Sequence, residues 1–182
     1  MPKTILILNG SPRPNGNTAA LIDAFAEGAR AAGHTVLRHD LRALKIHPCL
    51  GCLGGGKDPA HPCVQRDGMD RIYPDYRAAD VVAFASPMYY WAVSGQLKCA
   101  LDRLFAVTES DGGTPKKETV VLMAAEGDTP ENYAPVRQWY EALCAELAWT
   151  DRGQVVAGGV LKVGDVAGHP ALAKARALGA SL

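Results

Sequence analysis

Small polar side chains crowd one short stretch near the start of the sequence, LNGSPRPNGNT, which covers residues 8–18. Hydroxyl, amide and guanidinium groups bind anions, and a helix that begins near Asn17 turns its free N–H groups toward this loop. The side chains available there are those of Ser11, Arg13, Asn15, Asn17 and Thr18. The stretch therefore predicts an anion site, and the alternative is a tight turn whose polar side chains satisfy their own backbone.

The spacing of this loop excludes the common nucleotide-binding motifs. Gly10 and Gly16 are one residue too far apart for a P-loop, and Asn17 stands where that motif needs lysine. Pro12 occupies the second glycine of the dinucleotide fingerprint, where the backbone must approach a pyrophosphate. The loop therefore suits a single phosphate monoester.

A second stretch, SPMYYWAVSGQLK over residues 86–98, places three consecutive aromatic residues after an apolar run. A strand alternates its faces and a loop lies at the surface, so Tyr89, Tyr90 and Trp91 cannot all enter one core. At least one ring should be exposed, where it can stack on a flat aromatic ligand. Packing under the loop or in a subunit interface is the alternative.

Alternating strand and helix patterns decide where these two loops meet. Apolar strands are predicted over residues 3–8, 34–40, 80–86, 118–125 and 153–160. Helices are predicted over residues 17–33, 67–79, 94–106, 129–149 and 169–180. Ser94 and Thr129 are predicted N-caps, and Pro74 weakens the second helix.

Five such units predict a doubly wound parallel sheet in a three-layer α/β sandwich, formed as a single domain from residues 1–182. Ligands of such sheets bind beyond the carboxyl ends of the strands, where the strand order switches. The loops after the first, third and fourth strands are therefore the predicted site.

The segments GSPRPNGNT and SPMYYWAVSGQLKCALDRL together resemble the flavodoxin-like NADPH-dependent FMN reductase family, especially its branch of iron–sulfur flavoproteins and NAD(P)H or quinone reductases. The similarity covers roughly the first two-thirds of the chain. It implies a flavodoxin-like five-stranded sheet of order 2-1-3-4-5, with FMN as cofactor and NAD(P)H as co-substrate. It also implies a homodimer or a dimer of dimers with sites at the interface.

The resemblance also implies how the loops hold FMN. The first loop would bind the phosphate, the aromatic loop would flank the isoalloxazine ring, and the loop after the fourth strand would close the far side. The implied residues are Ser11, Arg13, Asn15, Asn17, Thr18, Pro87, Met88, Tyr89, Tyr90, Trp91, Glu126 and Gly127. No catalytic side chain is assigned, because the flavin itself performs the chemistry.

Residues 47–69 look like the cluster segment of the iron–sulfur branch, where four cysteines would ligate a [4Fe–4S] cluster. Here Cys49 and Cys52 keep the first spacing and Cys63 matches the last position, but Gly55 stands at the third. Three ligands are a poor basis for a cubane that needs four thiolates. We therefore predict no iron–sulfur cluster and no metal.

Other interpretations of these cysteines stay open. A zinc site would recruit His47 or His61 as a further ligand, and Cys49 with Cys52 would form a redox dithiol. A loop whose cysteines simply pack is the preferred interpretation. Cys99 and Cys144 lie in helical patterns and are predicted core residues.

Composition narrows the class of protein. The 182 residues include 19 basic and 19 acidic side chains, so no net charge favours nucleic acid or an acidic membrane as a partner. No apolar run approaches the length of a membrane span. Five cysteines without a signal-peptide pattern argue against a disulfide framework and predict a cytoplasmic protein.

The predicted function is an FMN-dependent NAD(P)H oxidoreductase that passes hydride from a nicotinamide, via FMN, to a small-molecule acceptor such as a quinone or a flavin. One alternative is a flavin-binding electron carrier or redox sensor without substrate turnover. Another is the same fold without flavin, acting as a binder or hydrolase of a phosphate compound. The acceptor, and the choice between NADPH and NADH, do not follow from the sequence.

Overall fold

Five apolar segments form one parallel sheet in the computed structural model, which describes residues 1–182. The strands are β1 Thr4–Asn9, β2 Thr35–Asp40, β3 Val81–Pro87, β4 Glu118–Ala124 and β5 Thr150–Ala157. Their order is β2-β1-β3-β4-β5 and every neighbouring pair is parallel. The predicted flavodoxin-like order is confirmed.

Helices cover both faces of the sheet. They are α1 Asn17–Ala31, α2 Tyr73–Ala78, α3 Gly95–Arg103, α4 Phe105–Asp111, α5 Pro130–Leu147 and α6 Pro170–Ala180. Short 3-10 turns span Leu41–Ala43 and Gly68–Arg71. None of these helices is both long and apolar enough to cross a bilayer.

Alternation along the strands divides the core into two layers. In β1, Ile5 and Ile7 join a cluster of 20 buried residues with α1 and α6, while Leu6 and Leu8 join 22 buried residues on the other face. Successive strand side chains point to opposite faces, so a strand buried on both faces must be apolar throughout. This explains why the strands were readable from the sequence.

Three predicted elements differ from the structure. The strand predicted over 153–160 begins at Thr150 and ends at Ala157, and it continues through an irregular pairing step with β4 at Gly153, whose φ is +145°. The helix predicted over 94–106 is divided at Leu104 into α3 and α4. The helix predicted over 67–79 is a 3-10 turn followed by α2, with Pro74 in the first turn, where a missing N–H costs nothing.

Candidate functional site

Two adjoining cavities lie at the carboxyl edge of the sheet, where the order of strands switches between β1 and β3. The inner cavity has a volume of about 130 Å³ and the outer one about 520 Å³. Met88, Tyr89 and Glu126 line both, so the two form one continuous concave surface. The loops after β1, β3 and β4 thus meet where the sequence predicted a site.

Of the predicted site residues, all but one line these cavities. The inner cavity is lined by Ser11, Arg13, Asn17, Thr18, Pro87, Met88, Tyr89 and Glu126. The outer cavity adds Tyr90, Trp91 and Gly127. Asn15 is exposed and lines neither cavity.

The inner cavity contains the uncapped N-terminus of α1. Gly16 is the N-cap and provides no side-chain hydrogen bond, and the first turn carries no acidic residue. The N–H groups of Asn17, Thr18 and Ala19 have no acceptor within the protein. Thr18 is a buried residue that lines the cavity, and its hydroxyl makes no hydrogen bond within the protein but is not among the buried unpaired atoms, so it is open to the cavity. These free donors at the positive end of a helix dipole fit a phosphate group.

Two first-loop side chains instead build the wall of the cavity. The Arg13 guanidinium donates to the carbonyl of Leu161 at 2.7 Å. The Asn17 amide donates to the carbonyl of Lys162 at 2.9 Å and accepts from the N–H groups of Gly164 and Val166. The side chain of Asn17 is therefore engaged within the protein, and its backbone N–H is the group left for a ligand.

This wall reveals a fourth loop that sequence reasoning missed. Val160 and Leu161, in the loop after β5, line the inner cavity. The signal for this loop in the sequence was the glycine pair Gly158–Gly159 after the strand. The structure shows why glycine is needed there, since a Cβ on Gly158 would overlap the Tyr133 hydroxyl. Such a close approach permits only glycine at that position.

The loop after β3 forms a tight aromatic turn, Tyr89–Ala92. The N–H groups of Tyr89 and Ala92 each donate to the carbonyl of the other at 3.0 Å. The two central residues, Tyr90 and Trp91, have φ values of +47° and +59°. This left-handed pair is the geometry of a two-residue hairpin turn and normally carries glycine or asparagine.

The rings of this turn lie in solvent. Tyr89 is 44%, Tyr90 94% and Trp91 55% exposed, which confirms the expectation that at least one ring is exposed. A left-handed conformation costs a non-glycine residue roughly 1–2 kcal/mol. Exposed aromatic rings on a strained backbone contribute little to folding, and their position at a cavity mouth points to ligand binding.

Serine hydroxyls fasten the aromatic loop to the first loop. Ser94 caps α3 by accepting from the N–H of Leu97 at 3.3 Å, as predicted, and donates to the carbonyl of Gly10 at 2.7 Å. The Ser86 hydroxyl accepts from the N–H of Ser94 at 2.8 Å. A Cβ on Gly10 would lie 2.6 Å from the Ser94 hydroxyl oxygen, so glycine is required for this approach. The two halves of the site are therefore held in fixed register.

Two side chains of α5 hold the loop after β4 in place. The Tyr133 hydroxyl donates to the carbonyl of Gly127 at 2.8 Å, and the Asn132 side chain packs against the Gly127 backbone. Burial, together with the nearby Asp128 carboxylate, raises the pKa of Tyr133. Tyr133 therefore stays a neutral hydrogen-bond donor at ordinary pH, which fixes the Gly127 peptide beside the outer cavity.

The cysteine loop, residues 44–67, lies apart from these cavities. Cys49, Cys52 and Cys63 line a separate cavity of about 50 Å³ that also involves Arg103 and Glu109. All five cysteines of the chain are free thiols. No group of three or more histidine, cysteine, aspartate or glutamate side chains is arranged to hold a metal ion.

A parallel sheet of this order, with a binding cavity at its switch point, is the architecture of flavodoxin-like proteins. The chain matches the family described as NADPH-dependent FMN reductase over residues 3–158, and it belongs to that family. FMN is the cofactor, and NAD(P)H the co-substrate, of this class of enzyme. The predicted family and its cofactor, FMN, are thereby confirmed.

Individual relatives agree with this assignment. An iron–sulfur flavoprotein of Archaeoglobus fulgidus is 37% identical over 98 residues, which are 52% of this chain and 42% of the relative. The chain thus spans about half the length of the iron–sulfur flavoproteins that it matches. An FMN-dependent NADH:quinone oxidoreductase of Opitutus terrae is 29% identical, over 69% of this chain and 68% of the relative.

The fold is shared with a solved structure of an NAD(P)H:quinone oxidoreductase from Methanothermobacter marburgensis. The two superpose with a TM-score of 0.77 over 100% of this chain and 96% of the other, at 19% identity. At this level of identity the similarity shows a shared fold and nothing more specific.

Proposed function

We propose that this chain is an FMN-dependent NAD(P)H oxidoreductase that reduces a planar small molecule such as a quinone or a flavin. The observation that carries the proposal is the two-ended cavity. Unpaired N–H groups at the start of α1 lie at one end, and an exposed aromatic turn lies at the other. A phosphate monoester with a broad aromatic ring requires both ends.

At the inner end, the phosphate would bind to the first turn of α1. The backbone N–H groups of Asn17 and Thr18 and the Thr18 hydroxyl are free to donate, and Ser11 and Arg13 line the same cavity. Arg13 supplies the only positive charge among the residues lining the inner cavity, although it also bonds to Leu161. Asn15 lies outside the cavity and would contribute at most from the surface.

At the outer end, Pro87, Met88 and Tyr89 would lie against the ring, and Glu126 and Gly127 would close its far side. FMN held there would supply the hydride chemistry between a nicotinamide and an acceptor. The protein positions these partners: the exposed rings of Tyr90 and Trp91 offer a stacking surface for a planar molecule at the cavity mouth. The Gly127 peptide, held by Tyr133, fixes the wall against which the ring would rest.

The quinone and flavin acceptors are proposed because the relatives suggest them and because a flat acceptor suits an aromatic turn. One relative is named as an FMN-dependent NADH:quinone oxidoreductase. Turnover measured with each nicotinamide decides between NADPH and NADH.

A homodimer or a dimer of dimers forms part of the same proposal. Three exposed aromatic rings beside an open cavity form an apolar patch of the kind that a second subunit covers. The absence of disulfides among five cysteines supports a cytoplasmic location.

The test begins with the visible absorption spectrum of the purified protein after addition of FMN and removal of the excess. We expect a bound-flavin spectrum that NADPH or NADH bleaches, followed by steady turnover with a quinone. Bound FMN without turnover would favour the electron carrier. A protein that cannot retain FMN would contradict the proposal.

A further inference from the structure

The cysteine loop has three thiols facing one small cavity, but the fourth ligand of a cluster is missing. Cys49, Cys52 and Cys63 line that cavity together with Glu109. Several relatives are named iron–sulfur flavoproteins, and a [4Fe–4S] cluster takes four cysteine thiolates. Whether a [4Fe–4S] cluster fits this chain depends on the third ligand position, residue 55.

Gly55 has the spacing of a third cysteine, and a side chain there would have to displace the Glu109 carboxylate. A Cβ on Gly55 would overlap Oε2 of Glu109 and would lie 3.0 Å from the carbonyl oxygen of Pro62. The Glu109 carboxylate thus fills the space that a cysteine side chain at position 55 would occupy.

Neither of the other two cysteines can replace the missing ligand. Cys144 is buried in the core on α5, where its sulfur lies 3.5 Å from the Thr119 hydroxyl. Cys99 lies on α3 and does not line the cavity of the cysteine loop. The cavity therefore offers three thiols and the Glu109 carboxylate rather than four thiolates, and these side chains are not arranged to hold a metal ion.

A buried ion pair holds the cysteine loop together instead. The side chains of Arg103 and Asp67 are 1% and 3% exposed, and their closest N–O distance is 2.8 Å. Arg103 also donates to the carbonyls of His47 at 3.0 Å and Gln65 at 3.4 Å, which lie at opposite ends of the cysteine segment.

The Asp67 carboxylate also bonds to the backbone at both ends of the loop. It accepts from the N–H groups of His47 at 3.0 Å and Met69 at 2.9 Å. Burial favours the neutral acid, but the hydrogen bonds from Arg103 and the backbone outweigh it and lower the pKa of Asp67. A charged Asp67 thus connects both ends of the loop.

We propose that the cysteine loop of this chain binds no iron–sulfur cluster, because Glu109 occupies the place of the third ligand and the Arg103–Asp67 ion pair closes the loop. A consequence, which rests on the proposed function, concerns the acceptor. The loop then supplies no second redox centre, so an acceptor would react directly with the flavin site, at the outer cavity. With a quinone as the acceptor, NADPH, one proton and the quinone give NADP⁺ and the hydroquinone.

The first test measures cluster binding. The full chain is incubated without oxygen with ferrous iron and sulfide, then desalted, and iron and acid-labile sulfide are counted per chain. We expect the wild type to retain no more than Cys49→Ser/Cys52→Ser. The double variant Gly55→Cys/Glu109→Ala should gain up to about four irons per chain, and Gly55→Cys alone should gain less.

Each outcome decides one part of the proposal. Stoichiometric iron and sulfide in the wild type, lost in Cys49→Ser/Cys52→Ser, would overturn it. A folded double variant that takes up no iron would overturn the role given to Glu109. Circular dichroism verifies folding, and the wild-type measurement stands even if the double variant does not fold.

The second test separates this inference from the proposed function. Cys49→Ser/Cys52→Ser should bind FMN and reduce a quinone at the wild-type rate, since both thiols are exposed and lie outside the two cavities. Loss of quinone reduction in a variant whose flavin is still bleached by NADPH would overturn the inference alone. A wild-type flavin that neither NADPH nor NADH can bleach would instead refute the proposed function.

Discussion

The cavity at the sheet edge and the cysteine loop differ in where their polar groups find partners. At the sheet edge, the first N–H groups of α1 and the Thr18 hydroxyl are unpaired, although Thr18 is buried. In the cysteine loop, Arg103 and Asp67 bond to each other and to the surrounding backbone, and only Nε of the arginine lacks a partner.

This contrast teaches how a ligand site differs from a structural loop that carries similar chemistry. Free donors that converge at the positive end of a helix and face an open cavity are available to an anion, so they mark a place prepared for binding. A network that is almost complete within the protein leaves little for a ligand to do. Reactive residue types alone do not distinguish the two regions.

The largest effect that tests this contrast is loss of the ion pair. Arg103→Ala should lower the free energy of unfolding by about 3–5 kcal/mol, because it leaves the Asp67 charge buried without a partner. Denaturant unfolding monitored by circular dichroism measures this. Lys98→Ala, on the same helix, breaks a half-exposed pair with Asp102 and should cost only about 0.3–0.5 kcal/mol. Equal effects of the two variants would mean that the loop does not depend on Arg103.

Loss of the phosphate contacts should have the next largest effect. Arg13→Ala/Thr18→Ala should weaken FMN binding by roughly 100-fold or more, since hydrogen bonds to a charged group contribute about 1.5–3 kcal/mol each. Fluorescence titration measures the dissociation constant. Riboflavin, which lacks the phosphate, is the control ligand, and its affinity should hardly change. Equal weakening of both ligands would show that these side chains hold the loop after β5 rather than the phosphate.

The aromatic turn should show an exchange of stability for activity. Tyr90→Asn/Trp91→Gly places residues that favour the left-handed region at both strained positions and should stabilise the fold by roughly 1–2 kcal/mol. The same change should lower kcat/KM for a quinone about tenfold by removing the stacking surface. Tyr90→Phe keeps the ring and should alter neither quantity. Unchanged kcat/KM in the double variant would exclude the turn from acceptor binding.

The smallest expected effect is on the pH dependence of the unfolding free energy. The pKa of Asp67 lies below its ordinary value of 3.8, so its contribution to stability is complete above about pH 5 and is lost as the pH falls through the lowered pKa. The difference in unfolding free energy between wild type and Asp67→Asn should therefore be constant from pH 7 to about pH 5 and shrink below that. A difference that falls between pH 7 and pH 5 would point to another titrating group.

Local sequence patterns were sufficient for most of the framework. The apolar runs located all five strands, and Ser94 marked the start of α3 because a hydroxyl followed by a helical pattern is a local signal. The loops after β1, β3 and β4 could be chosen because parallel strands place their carboxyl ends at one edge.

The missed features all depend on distant partners. The loop after β5 enters the site through Asn17, which bonds to Lys162, a residue 145 positions away. Arg103 was unremarkable in a helical pattern until the fold placed it beside Asp67, 36 positions earlier. The division of one predicted helix into α3 and α4 also has no local signal.

The sequence by itself determined the strand-and-helix alternation, the anion loop and the aromatic loop, because these depend on periodicity, turn residues and side-chain type within short segments. Only the tertiary structure decided which polar groups remain unpaired and which form hydrogen bonds within the protein. That distinction depends on contacts between segments brought together by the chain topology, and it is what separates the proposed flavin site from the closed cysteine loop.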